Sequence, residues 1–313
     1  MLGKTAGGLF WMFRSLERAE NITRVIDTGQ RIALTRSADD ADEWASIMQT
    51  ASVDLGYFEK YDELSKDAVI DWMLRDKDNP SSVLRSLESA RNNARLVRTG
   101  LTHEVWEAMN GCWMEMKELL RRKVNERDLP SVLEVIRQRT GLVRGATHGT
   151  MLRNDIYDFC RIGTFLERAD NTARILDVKY YVLLPSSFAV GSSLDNVQWE
   201  TILRSVSADS GYRAVYGHDT NPRDIASFLV RDGRMPRSLY FCANRLMENL
   251  NFIAHDYGSG CLARDKAEAL CRRLRENDID NVFDYGLHEY IQDILISLGE
   301  LSRQIEIDFR FYQ

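Results

Sequence analysis

LERAENITRVID at residues 16–27 returns as LERADNTARILD at residues 166–177, at a constant offset of 150. Most positions are identical or conservatively changed, and the echo continues downstream. Trp44, Ile47, Ser52, Asp54, Gly56 and Tyr57 correspond to Trp199, Ile202, Ser207, Asp209, Gly211 and Tyr212 at an offset of 155. Arg75-Asp76, Pro80, Ser82 and Asn93 then correspond to Arg231-Asp232, Pro236, Ser238 and Asn249 at an offset of 156. Three ordered blocks whose spacing drifts only across expected loops mark an internal duplication. The repeats are expected to span residues 1–147 and 148–313. No Pro/Gly/Ser linker separates Gln138 from Leu152, so one compact body with pseudo-twofold symmetry is expected rather than two tethered domains.

The apolar spacing within and around these blocks predicts an all-α bundle of about twelve helices. They are expected near 6–31, 40–55, 61–77, 80–99, 102–126 and 130–145, then 150–182, 196–216, 222–232, 236–256, 261–277 and 285–311. Pro80, Pro130, Pro222 and Pro236 each open such a segment, where the missing N–H costs nothing. Gly100, Gly217 and Gly258 stand where helices should end. Asp54 and Asp209 are also expected at helix ends. Sustained alternation is absent, and Asp232-Gly233 separates two helix-like segments, so strands are not expected. LLPSSFAVGSSLDN (183–196) reads as a long surface loop.

On a helix through residues 9–27, Glu17, Glu20, Asn21 and Arg24 share one face at i, i+3, i+4 and i+7. The rest of the circumference is apolar (Leu16, Ala19, Ile22, Val25, Ile26, with Phe10 and Phe13 a turn earlier), which predicts burial. The geometry repeats with Glu167, Asp170, Asn171 and Arg174. Buried carboxylates need partners, so Arg24 is expected on Glu20 and Arg174 on Asp170. Arg18 and Arg168 lie about 100° round the helix from the preceding glutamates and are expected to point elsewhere. Two such stripes facing one another would form a symmetric polar seam.

Other candidates are less organised. Arg91, Arg95 and Arg98 share a helical face before Glu104, Trp106 and Asn110; such a row suits phosphate or carboxylate recognition, against a solvated face or pairing with the acidic stripes, and the pairing is expected. His148 precedes the second stripe helix and is expected to cap or to be satisfied in the core. None of the five histidines has a glutamate three residues before it, so di-iron ligation is not expected and no metal or other cofactor is assigned. An all-oxygen Mg²⁺ site on the stripes is the alternative. No nucleophile triad and no phosphate loop has supporting sequence.

The net charge of -6 and pI near 5.5 argue against a nucleic-acid surface. Five cysteines without a CxxC pair read as buried, reduced thiols. The apolar stretch Leu9–Phe13 is too short for a signal sequence or a span. A cytoplasmic chain without membrane contact is expected.

FWMFRSLERAENITRVID, IGTFLERADNTARILDVKYY, THGTMLRND and SARNNARLVRTGLTHEVWEAMN together resemble the bacterial alpha-E family, helical proteins named for an E-R motif. The resemblance covers nearly the whole chain and carries the motif onto Glu17-Arg18 and Glu167-Arg168. Asp170 departs from the glutamate at position 20, which makes the two stripes inequivalent. The resemblance implies a partner: family members are encoded beside, or fused to, a circularly permuted ATP-grasp protein resembling peptide ligases. The function so implied is a non-catalytic accessory subunit of an amide-ligase system, whose seam holds an acidic peptide or amino-acid ligand. C-terminal Phe309, Phe311 and Tyr312 are expected to be exposed for that contact. The alternatives are an enzyme using the paired carboxylates as an acid–base or Mg²⁺ cavity, and a scaffold whose seam only fixes the register of the halves.

Overall fold

The computed structural model describes residues 1–33, 40–182 and 193–312. Among these residues there are fifteen α-helices, one 3₁₀ turn and no strand. The first half runs α1 (Gly3–Ala33), α2 (Asp40–Ala51), α3 (Asp54–Phe58), α4 (Lys66–Leu74), α5 (Val83–Leu96), α6 (His103–Leu119) and α7 (Leu129–Thr150). The second runs α8 (Asp155–Val182), α9 (Ser193–Ser205), α10 (Asp209–Tyr216), α11 (Pro222–Arg231), α12 (Leu239–Tyr257), α13 (Leu262–Glu276), α14 (Ile279–Tyr285) and α15 (Leu287–Asp308).

Three helices exceed the expected dozen, each for a backbone reason. Ser52 and Ser207 adopt positive φ (52° and 53°), which ends α2 and α9 where uninterrupted helices were expected. Asp54 and Asp209 therefore begin α3 and α10, rather than closing a helix, and place a carboxylate at the positive N-terminal end of the helix dipole. Gly286, at φ 119°, separates α14 from α15. Of the expected loop 183–196, residues 183–192 lie outside the described residues, and 193–196 already belong to α9.

Ser82 and Ser238, equivalent in the repeat, cap α5 and α12 through their hydroxyls, each downstream of its proline. Gly258 closes α12 in the left-handed conformation that lets a backbone N–H reach back to free carbonyls. Gly217 ends α10, whereas Gly100 lies in the 3₁₀ turn.

Helices α1 and α8 are the axis of the bundle. α1 packs on α8, α5, α7, α2 and α9, while α8 packs on α12, α15 and α2 as well. Leu9, Phe10, Met12, Phe13, Leu16, Ala19 and Ile26 of α1 and Phe159, Ile162, Phe165, Leu166, Ala169 and Leu176 of α8 are all buried, as their apolar circumference predicts. The buried apolar side chains form one continuous cluster drawn from both halves. The axis helices approach closely where a Cβ on Gly163 would lie 2.3 Å from the Phe10 carbonyl oxygen.

The C-terminal aromatics correct an expectation. Phe311 is buried and packs at a tilt against Phe10, ring centroids 5.3 Å apart, and Phe309 meets Phe159 at 4.9 Å, so only Tyr312 of the three is exposed. Their aromatic area is spent on the core. All five cysteines are free, four of them buried. No helix among the described residues is long and apolar enough to cross a membrane.

Candidate functional site: a reciprocal Glu/Arg seam

The polar faces of α1 and α8 meet at the centre of the bundle. Arg168 donates from Nε to Glu17 Oε1 (2.8 Å) and from Nη2 to Glu17 Oε2 (3.1 Å). Arg18 donates from Nε to Glu167 Oε1 (2.5 Å) and from Nη2 to Glu167 Oε2 (3.0 Å). Both contacts are two-pronged, the strongest geometry open to a guanidinium and a carboxylate. The glutamate of each Leu-Glu-Arg triplet is thus held by the arginine of the other. Arg18 and Arg168, expected to point away from the stripe of their own helix and carried as seam candidates by the E-R motif, do both: the turn of about 100° between adjacent residues aims each arginine at the neighbouring axis helix. A projection of one helix shows only partners on that helix.

The pairs that one helix can show are present. Arg24 donates to Glu20 Oε1 from Nη2 (2.8 Å) and Nε (3.2 Å), and Arg174 donates to Asp170 from Nε (2.7 Å) and Nη2 (3.2 Å). Their remaining nitrogens cross to the other half. Arg24 Nη1 reaches Ser207 Oγ (2.6 Å) and Arg174 Nη1 reaches Ser52 Oγ, so the two serines that break α2 and α9 also receive the seam.

Four seam residues escaped the reading of the sequence. Arg237 donates from Nη2 to Glu20 Oε1 (2.9 Å) and from Nη1 to Asn21 Oδ1 (3.2 Å), with Nη1 also 3.2 Å from Glu17 Oε1. Arg144 contacts Glu20 closely and lies 3.5 Å from Glu17. Thr140 Oγ1 donates to Glu20 Oε2 (3.2 Å). Arg14 donates from Nε to Glu167 Oε2 (2.9 Å) and from Nη1 to Ser302 Oγ (3.0 Å). Arg144 and Thr140 come from α7, and Arg237 from the turn before α12, positions remote in sequence from the stripes.

Seven arginines therefore face four carboxylates. Burial pushes the Glu17 pKa up, but Arg168, Arg237 and Arg144 overcome it and hold the carboxyl well below the ordinary range. Glu20 is raised by burial and by Glu17, then brought below its usual value by Arg237, Arg144 and Arg24. Glu167 is likewise lowered, with Arg18 and Arg14 outweighing burial. Burial brings Arg237 down to about 10 although Glu17 resists it, which leaves it cationic at pH 7. Asp170, the shorter acid, is more exposed than Glu20 and, among the described residues, is paired only with Arg174.

His148 is not in the seam but at its edge. Its Nδ1 lies 2.8 Å from the Tyr157 hydroxyl and its Nε2 2.7 Å from Arg161 Nη1. Burial of the ring, then Arg161, Arg153, Arg168 and Arg144, lower its pKa to about 4. The imidazole is neutral at pH 7, so Nε2 accepts from Arg161 and Nδ1–H donates to Tyr157. Arg161 and Arg153 have no carboxylate partner among the described residues. Arg91 and Arg95 do not join the seam either: Arg91 Nε donates to Asn110 (3.0 Å), Arg95 is exposed, and Arg98 lies over Trp106. The expected pairing with the stripes fails because the face they share on α5 is turned toward α6 and solvent. Among the described residues no group of three or more His, Cys, Asp and Glu side chains could hold a metal ion; the carboxylates that come together here do so around guanidiniums.

An all-α body whose two central helices exchange glutamate–arginine forks defines the class of protein, and the fork is written in the sequence as Glu-Arg. The chain belongs to the Alpha-E family, described as a predicted alpha-helical domain with a conserved ER motif, which matches residues 1–309. It is similar to the uncharacterized protein Rv2567 of Mycobacterium tuberculosis (strain H37Rv) and the uncharacterized protein Mb2597 of Mycobacterium bovis, 23% identical to each over 317 residues. These alignments cover 95% of this chain and 35% of each relative, so the chain spans about a third of their length. No solved structure matches it.

Proposed function

We propose that the protein is a non-catalytic accessory subunit of an ATP-grasp-type peptide or amide ligase, acting as one body of two repeats. The observation that supports this most directly is the saturation of the seam. Every carboxylate at the centre is held by at least one guanidinium, and Glu17, Glu20 and Glu167 are held ionised by their surroundings. A general acid must carry a proton near neutral pH, and these groups do not. The seam is a lock between halves.

What the body offers a partner is cationic. Arg161 is disfavoured in its charged form by burial and then by Arg168, Arg245 and Arg153, the electrostatic state of a site short of an anion. An acidic peptide or amino-acid substrate of the ligase, or an acidic segment of the ligase itself, would fill it. The family context supplies the ATP-grasp partner, and the length of the mycobacterial relatives beyond the matched third leaves room for a covalently joined one. Co-expression with a circularly permuted ATP-grasp protein of the kind the family resemblance implies should give a stable complex and raised ATP turnover, both weakened by Arg161→Ala with Arg153→Ala. Separate elution, with turnover unchanged when this protein is added, would refute the proposal.

A further inference from the structure

The two copies of the seam are not equally full. Ser81 and Arg237 are equivalent in the repeat, each following its proline and preceding its capping serine. In one copy Arg237 fills the space beside the stripe and forks onto Glu20 and Asn21. In the other, Ser81 is too short to cross it, and a cavity of about 160 Å³ opens there. Asn171, the counterpart of Asn21, lines that cavity at 8% exposure with its Oδ1 buried and unpartnered. Glu167, Asp170 and Arg174 line it too, with Asn21, whose buried Nδ2 also lacks a partner. Buried amide atoms left without a partner are destabilising, so a cavity that orphans two of them is shaped for something that supplies their partners.

We infer that this cavity is a ligand site for a small guanidinium-headed molecule, which takes the place in the open copy that the Arg237 side chain takes in the sealed one. The protein carries its own template for the occupant. The acceptors met by Arg237 are Asn21 Oδ1, Glu20 and Glu17, and their counterparts on the open side are Asn171 Oδ1, Asp170 and Glu167. A planar head with paired N–H donors satisfies two acceptors at once, which a single ammonium does less well. An acceptor elsewhere on the same molecule would meet Asn21 Nδ2. The room, about five waters at ~30 Å³ each, suits a head group with a short tail.

Charge does not forbid it. The sealed copy sets Glu17 and Glu20 against Arg24, Arg144, Arg168 and Arg237. The open copy sets Glu167 and Asp170 against Arg14, Arg18 and Arg174. One bound guanidinium brings the open side to the balance that the sealed side already sustains.

This inference concerns the same seam as the accessory-subunit proposal but does not need the ligase. Agmatine is titrated calorimetrically into the isolated protein, with n-butylamine and acetate as comparison probes. Agmatine is expected to bind at one site, with butylamine roughly tenfold weaker and acetate not at all. Ser81→Arg, which supplies the head internally, should abolish agmatine binding while raising the Tm. Arg237→Ser should open a second cavity and lower the Tm, with the loss reversed in part by millimolar guanidinium ion. Asn171→Leu is the variant that keeps the cavity but removes its acceptor, and it should lose agmatine at unchanged fold by circular dichroism. Acetate binding in preference to agmatine, no binding of either, or agmatine binding that survives Ser81→Arg would each overturn the inference. Agmatine binding in a protein that ignores the ATP-grasp partner would sink the accessory role and leave this site standing.

Discussion

Replacing Glu17 by Gln keeps the shape of the side chain and removes its charge. Glu17 is 1% exposed, accepts both prongs of Arg168, and lies 3.2 Å from Arg237 and 3.5 Å from Arg144. The substitution turns one side of the amide into a donor facing guanidinium donors, and leaves three cations around a neutral group. Removing one partner of a buried ion pair costs about 3–5 kcal/mol, most of it from the charge left behind. At this chain length a kcal/mol corresponds to roughly 2 °C, so the Tm should fall by about 6–10 °C. Urea unfolding at pH 7 should show a lower midpoint with an unchanged slope. Arg168→Gln should be destabilising as well, and the double variant should be less damaged than the sum of the two by about 1–3 kcal/mol, since the residues are in contact. A Tm within about 1 °C of the wild type, or strictly additive effects, would refute the idea that the fork holds the halves together.

The folded pKa values of Glu17, Glu20 and Glu167 are depressed, so their contribution is complete above the unfolded value near 4.5 and is lost as pH falls below it. His148, brought down to about 4 from an ordinary 6.5, erodes stability in the same direction between those two values. Burial, then Asp256 and Asp155, push Asp158 up to about 7, which acts in the opposite sense over that window, so thermal unfolding should show a Tm nearly level from about pH 7 to 5 and falling below it, with a shallower acid limb in Glu17→Gln. Gly163→Ala places a methyl against the Phe10 backbone and should cost about 1–3 kcal/mol as α1 and α8 are pushed apart, read as a lower urea midpoint. Ser207→Ala removes the acceptor of Arg24 Nη1 at an exposed position and should cost only about 0.5–1.5 kcal/mol, read as a small drop in the urea midpoint.

The axis helices were legible because their chemistry is local. An apolar circumference carrying one polar stripe announces a buried helix, and i,i+4 spacing announces Arg24 on Glu20 and Arg174 on Asp170. The repeat made the second stripe as plain as the first. The forks were not legible, because which arginine faces which glutamate depends on how two helices pack, and adjacent residues on a helix look like poor partners until the second helix is in place. Arg144 and Arg237 were missed for the same reason. A usable signal did exist for Arg237: it is a charged residue where the other repeat has serine, beside an otherwise matched proline and serine. The breaks at Ser52 and Ser207 left no warning, since serine rarely takes a left-handed backbone and nothing nearby demands a turn.

The exchange of forks has a consequence for how such a chain came to exist. Residue i of one unit holding residue j of another, while j of the first holds i of the second, is the contact rule of a symmetric homodimer. A single ancestral unit with one Leu-Glu-Arg triplet would meet all of that rule's requirements by pairing with its own twin, and fusing the twins in one reading frame would change no contact at the interface. Fusion would also release the twins from identity. From then on, an arginine could seal one side and a serine could open the other, an asymmetry that no pair of identical subunits can encode.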